Sequence, residues 1–157
     1  MKLKNSPLRW ALYLSPLLGL VVAAKLFNTN PPSNSAQTSP DASDPLLRSR
    51  IYRASWTDAV SVCEQTLSEQ RSYFRPWKHG TNSVSGTAPG AQLVEILRAE
   101  VPVFFFTDDF EVTLRDEGGE KIRVDVRSTA RLGKGDFGEN QRHVLQFLKA
   151  LDEKMKT

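Results

Sequence analysis

The sequence predicts an α+β fold: a two-layer sandwich in which an antiparallel sheet of three to five strands is packed by two helices, with an N-terminal membrane helix ahead of it. The first observation is that Phe110, Val112 and Leu114 alternate with polar neighbours, and that Ile122, Val124 and Val126 repeat the pattern. A two-residue period of this kind marks strands with one buried face. The second is a pair of apolar stripes at helical spacing, one on either side of those strands, each opened by capping residues. The third is an uncharged, mostly apolar run from Trp10 to Ala24 behind Lys2, Lys4 and Arg9, the layout of a positive n-region and an h-region. Helices on one face of an antiparallel sheet give the layered class.

Residues 1–27 are expected to form a membrane anchor or signal segment. The run Trp10–Ala24 would rise only about 22 Å as a helix, against a hydrocarbon core of about 30 Å. Extension through Leu26 and Phe27, with Lys25 snorkelling to the interface, makes residues 10–27 a short span. Val22-Ala23-Ala24 also offers small residues for cleavage, so a retained anchor is preferred and a cleaved, secreted form stays open. Basic residues ahead of the span place the N-terminus in the cytoplasm and the remainder across the membrane.

Residues 28–45 hold four prolines and no large apolar side chain. Such a segment cannot bury enough surface to offset ordering entropy, so it reads as a disordered Pro/Ser-rich tether. Its root-mean-square reach is about 25 Å. Residues 46–157 are then the folded domain.

Within the domain, Ser55 caps a first helix with Asp58 completing a capping box, and Trp56, Ala59, Val60, Cys63 and Leu67 form its stripe. Cys63 lies in that stripe and reads as core filler. Arg71–Trp77 is rich in aromatics and suits a strand, and Lys78–Gly90 is a glycine-marked loop. Gln92–Val101 reads as a strand ended by Pro102. Val103–Phe106 is apolar throughout, which suggests burial or a packed turn. Around Glu117-Gly118-Gly119 the two alternating runs must share parity to face one core, so the hairpin loop must be odd-numbered. Three residues with Gly119 left-handed satisfy this. Asp136, with Glu139, caps a last helix whose stripe is Val144, Leu148, Leu151 and Met155, widened by Leu145 and Phe147.

Charge narrows the function. Of 21 basic residues, Lys2, Lys4, Arg9 and Lys25 precede any acidic one, so 17 remain against 18 acidic residues, a balance of −1. A nucleic-acid binder would concentrate basic charge in its folded part, so no nucleic-acid partner is expected. The lone Cys63 excludes an internal disulfide. No G-x-S-x-G elbow and no H-E-x-x-H helix occurs. His79 and His143 are the only histidines, and the chain is read as no enzyme.

The densest chemistry lies at Val124–Arg142, a strand-to-helix turn carrying four cations, three acidic groups and three glycines. Gly133-Lys134-Gly135-Asp136-Phe137-Gly138 matches G-x-G-x-x-G literally. A dinucleotide site needs that turn in a parallel βαβ unit, whereas here the preceding strand closes an antiparallel hairpin. No cofactor is expected. Arg131, Lys134 and Arg142 could hold a small anion at the helix start, or pair internally with Asp108, Asp109 or Glu111, which is the favoured reading. Three carboxylates could also hold a hard cation, but strand alternation sends Asp108 to one face and Asp109 and Glu111 to the other. No metal is expected.

The run Phe106–Arg142 resembles the domain-of-unknown-function family numbered 1499. The residues that carry the resemblance are Asp108, Asp109 and Glu111, then Arg127, Ser128, Arg131 and Gly133, then Asp136, Phe137, Gly138, Asn140 and Arg142. Ala130 stands where the family usually has serine, and the Cys-Pro and Asn-Cys segment common at the domain's front is absent. The resemblance implies a domain boundary and a set of family-typical residues, with no established activity. It also implies membrane association, since some members look like thylakoid or other membrane-associated proteins.

The expected protein is thus a non-catalytic, single-pass membrane protein whose domain lies in the periplasm or a thylakoid lumen. It would bind an unknown protein partner or assist assembly of a membrane complex, with the Gly133–Gly138 turn, Arg131, Lys134 and Arg142 as its recognition corner. Two alternatives are a carrier of lipid or a small apolar ligand, with Phe104, Phe105 and Phe106 lining a cavity, and an unrecognised enzyme. A water-excluded pocket holding a histidine beside a carboxylate would favour the enzyme.

Overall fold

Central hydrophobic alternation builds the longest strands of the molecule. A computed structural model describes residues 33–85, 92–133 and 135–156, and residues 33–157 form one unit. In chain order the elements are β1 (Ser35–Gln37), a 3-10 turn (Pro45–Leu47), β2 (Arg50–Arg53), α1 (Trp56–Glu69), β3 (Arg71–Ser72), β4 (Arg75–Pro76), β5 (Lys78–His79), β6 (Ser83–Ser85), β7 (Val94–Val103), β8 (Phe106–Asp116), β9 (Lys121–Ala130) and α2 (Glu139–Lys154). The architecture is α+β, with a mostly antiparallel sheet and two helices. β7, β8 and β9 form its centre. Both edges are split: β1 and β2 pair with successive halves of β9, and β5 and β6 with successive parts of β7. Among the described residues the sheet therefore has seven strands rather than three to five, because edge pieces of two to four residues are too short to show a period.

Parity holds as expected. Phe110, Val112 and Leu114 stand opposite Ser128, Val126 and Val124, and the hairpin closes through a loop of three residues, 118–120, between Glu117 and Lys121. Gly119 is left-handed at φ 61°. The inner face packs on Ala59, Cys63 and Leu67 of α1 and on Val144, Phe147, Leu148 and Leu151 of α2. Cys63 is 1% exposed, and burial pushes its thiol up to about 12, as befits core filler. Ser55 Oγ accepts from the Asp58 amide at 3.1 Å, as a cap does.

Several expectations are corrected. The tether assigned to residues 28–45 is ordered from Ser33 on. β1 pairs with Arg127–Thr129 of β9, and the Thr38 hydroxyl accepts from the Val126 amide. A segment poor in apolar side chains is held here by main-chain bonds to an edge that a distant part of the chain supplies. Pro102 lies inside β7 rather than ending it, where only β8 pairs with the strand, a position compatible with its missing N–H. Val103–Phe106 is not buried: Phe104, Phe105 and Phe106 are exposed. Arg71–Trp77 is a hairpin, with Tyr73 and Phe74 both at positive φ. The Lys78–Gly90 loop contains β5 and β6. α2 starts at Glu139, not at Asp136, because Phe137 and Gly138 take φ of 54° and 88° and interrupt the helical path.

Residues 1–27, expected to span a membrane, lie outside the described residues. Among the described residues no helix is long and apolar enough to cross a membrane.

Candidate functional site

The pleat of β8 and β9 divides the charged turn between two faces. Asp108 and Ser128 point inward and are buried, while Asp109, Glu111 and Arg127 point outward. This is the alternation predicted for the carboxylates. Inside, it joins Asp108 and Ser128 to the first turns of α2.

Ser128 and Asn140 are both fully buried. Ser128 Oγ donates to Asn140 Oδ1 at 2.6 Å, and Asn140 Nδ2 donates to the Asn34 carbonyl at 2.9 Å. Asp136 still serves the helix start: it accepts from the Gly138 amide at 3.1 Å and the Asn140 amide at 2.7 Å. His143, also fully buried, lies edge-on to Trp77. Its Nε2 is 3.0 Å from an Arg142 guanidinium nitrogen. Guanidinium has no acceptor, so Nε2 must accept and the proton must sit on Nδ1. That proton faces Ser128 Oγ at 3.5 Å and Asp108 Oδ2 at 3.9 Å.

Burial, and then the Arg142 charge, lower His143 to about 4. Burial, and then Asp136, Glu139 and Asp109, raise Asp108 to about 6. Arg142 is held by Glu139 at 2.8 Å and lies over the Tyr73 ring. A serine, a histidine and an aspartate thus meet, but serine and aspartate share one ring nitrogen. A proton relay needs its serine and its carboxylate on opposite nitrogens; at Nε2 the Glu139 carboxylate lies 3.6 Å away, but the Arg142 guanidinium donates to that nitrogen at 3.0 Å. As built, the cluster fastens β8, β9, α2 and the incoming chain at Asn34 to one another.

Among the described residues no helix covers the outer face. Arg98 pairs with Glu111 at 3.0 Å, and Arg131 grips Asp109 at 2.6 Å and Glu100 at 2.7 Å. Arg115 pairs with Asp125 at 2.6 Å. These charges line two shallow clefts. One, of about 450 Å³, is walled by Gly80, Arg98, Glu100, Asp109, Arg127 and Arg131. The other, of about 360 Å³, is walled by Thr38, Glu111, Arg115, Asp125 and Arg127. Gly80 shapes the first, because a Cβ there would meet Arg98 Cβ at 2.9 Å. Arg127 borders both clefts, is exposed, and makes no ion pair among the described residues.

The predicted corner therefore comes apart. Arg131 belongs to the outer face and Arg142 to the helix side. Gly133 is left-handed at φ 94°, and Lys134 lies outside the described residues. The predicted arginine–aspartate lock exists between Arg131 and Asp109. Arg142 instead takes Glu139, Glu111 takes Arg98, and Asp108 faces His143 rather than an arginine. Among the described residues no group of three His, Cys, Asp or Glu side chains is arranged to hold a metal ion.

Sequence reasoning missed His143 as the hub of the inner cluster, and it missed Arg98 and Glu100. The available signal for the first was that Asn140 and His143 continue the Val144–Phe147–Leu151 face toward the helix start. For the second, it was that Arg98 and Glu100 alternate with buried Leu97, Ala99 and Val101.

No curated protein and no solved structure matches the chain. A family model described as "Protein of unknown function (DUF1499)" matches residues 25–151, which takes in both faces of the site and the strand β1. The chain belongs to the DUF1499 family.

Proposed function

We propose that this protein is a non-catalytic, membrane-anchored domain on the far side of the membrane from the cytoplasm. It binds a protein partner and so assists assembly of a membrane complex. The observation that carries this reading is the outer face, where Arg127 stands exposed between two clefts and makes no ion pair among the described residues, while Arg98, Arg115 and Arg131 are each paired. A mixed-sign surface with one uncommitted cation selects a partner by charge complementarity. The anchor rests on the sequence of residues 10–27. The inner cluster supports the absence of catalysis, because its serine and histidine are sealed from solvent and Arg142 occupies the histidine's Nε2. A carrier is the weaker reading, because Phe104, Phe105 and Phe106 face outward instead of lining a cavity.

Crosslinking and pull-down from native membranes test the proposal. Arg127→Ala is expected to lose a crosslinked protein that the wild type captures, with Arg131→Ala weakening the same capture. Folded variants that keep every partner would remove the outer face from recognition. Intact-mass measurement of the membrane-extracted protein tests whether the anchor is retained.

A further inference from the structure

We infer that the exposed aromatic side chains at one end of the fold form a second membrane contact, seated at the headgroup–acyl boundary of the bilayer. This rests on the anchor reading above and deepens it. Phe74 is 98% exposed, Phe105 97% and Phe137 80%, and Phe104, Phe106 and Leu132 are each more than half exposed. They come from separate parts of the chain. Phe74 tips the β3–β4 hairpin, Phe104 and Phe105 form the β7–β8 turn with Phe106 opening β8, Leu132 follows β9, and Phe137 precedes α2.

The fold gathers them. Tyr73 packs on Phe104 with ring centroids 4.1 Å apart, and the Arg75 guanidinium donates to the Phe104 carbonyl at 2.7 Å. Arg142 lies over Tyr73 from the first turn of α2, the helix that Phe137 precedes. Exposed apolar patches of this extent mark interaction surfaces.

The point where the chain enters the fold identifies the occupant. The Ser33 carbonyl accepts from the Asp136 amide at 3.2 Å, and the Asn34 carbonyl accepts from the Ala130 amide at 2.7 Å. Ser33 therefore enters at the aromatic end, one residue along from Phe137. Because β1 takes up much of the expected tether, only residues 28–32 separate Phe27 from Ser33, a length that spans at most about 18 Å. The aromatic end is therefore the end of the domain that the proposed anchor segment adjoins in sequence. The side chains lie at or beside turns. Exposed Arg71 and Arg75 flank them, suiting anionic headgroups. Bulky apolar side chains bordered by cations are the composition of an interfacial contact.

The test uses the full chain reconstituted into vesicles of phosphatidylcholine and phosphatidylglycerol. An environment-sensitive NBD label is placed at Phe105→Cys or, at the opposite end of β9, at Lys121→Cys; native Cys63 is buried. The label at 105 is expected to shift to the blue and be quenched by acyl-chain nitroxide lipids. The label at 121 keeps its aqueous emission. Adding Phe74→Ser and Phe137→Ser, both exposed positions, is expected to reduce quenching at 105. If the chain floats with the vesicles while the label at 105 stays aqueous, the aromatic contact is overturned and the anchor stands. If the chain fails to float and the label stays aqueous, both readings fall. Shielding at 105 in native membranes but not in protein-free vesicles would assign the surface to a protein partner and overturn the lipid assignment.

Discussion

On the inner face of β8 and β9, Asp108 and Ser128 lie against the start of α2. On the outer face, one residue along each strand, Asp109 and Arg127 lie in solvent. The two aspartates are chain neighbours with the same chemistry, yet Asp108 is 4% exposed and raised to about 6, while Asp109 is half exposed and clasped by Arg131. Inside, each polar atom must find a particular partner because water is excluded. The result is one connected set: Asn34, Ser128, Asn140 and His143, with Asp136 and Asp108 at its edges. Outside, charges pair across strands but remain hydrated, so each pair contributes little stability. The inner face accordingly governs stability, and the outer face contributes little to it.

Mutations can break or sharpen that contrast. The largest effect is expected from Phe110→Ala, which removes a fully buried ring packed between Trp77 and Phe147. It should cost about 3–5 kcal/mol in urea unfolding, and a loss below about 1 kcal/mol would mean the inner face is not a packed core. Asn140→Ala comes next. It strands Ser128 Oγ and the Asn34 carbonyl, for about 1–3 kcal/mol, and hydrogen exchange should speed up selectively in β1.

The third prediction uses pH. Asp108 is raised from 3.8 to about 6, so its contribution to stability is complete below 3.8 and is lost as pH rises toward 6. His143 is lowered from 6.5 to about 4, so its contribution is present above 6.5 and lost as pH falls toward 4. The opposed trends largely cancel between about pH 4 and 6. His143→Gln should expose a fall in stability with rising pH across this window, of about 1 kcal/mol per pH unit. Asp108→Asn should expose the opposite slope. Parallel slopes in both variants would show that the pair does not titrate in opposition.

The outer face supplies the smallest effects. Arg131→Ala breaks two exposed ion pairs and should cost less than about 1 kcal/mol. Arg127→Ala should stay within about 0.5 kcal/mol of wild type in thermal unfolding while losing the captured partner. A strongly destabilised Arg127→Ala would place that side chain among the structural elements instead.

The legible parts of the molecule were those with a local period. The Phe110–Val126 hairpin, its parity, the α1 cap at Ser55 and the burial of Cys63 follow from spacing that a short window contains. β1, β2, β5 and β6 did not show, because two to four residues hold no period and the register of β1 depends on a partner more than 90 positions away, as in Ser35 opposite Thr129. Asp136 was legible as the residue that serves the helix amides. The delay of α2 to Glu139 was not, because it turns on positive φ at Phe137 as well as at Gly138.

By itself the sequence determined the α+β class, the two amphipathic helices, the central hairpin and the family, because periodicity, capping and motif spacing are properties of neighbouring residues. Only the tertiary structure decided that Arg131 rather than Arg142 locks Asp109, that His143 becomes a buried hub, and that Phe74, Phe105 and Phe137 share one end with the entry of the chain at Ser33. These outcomes depend on which distant segments the sheet aligns and from which sites it excludes water, and no local pattern encodes either.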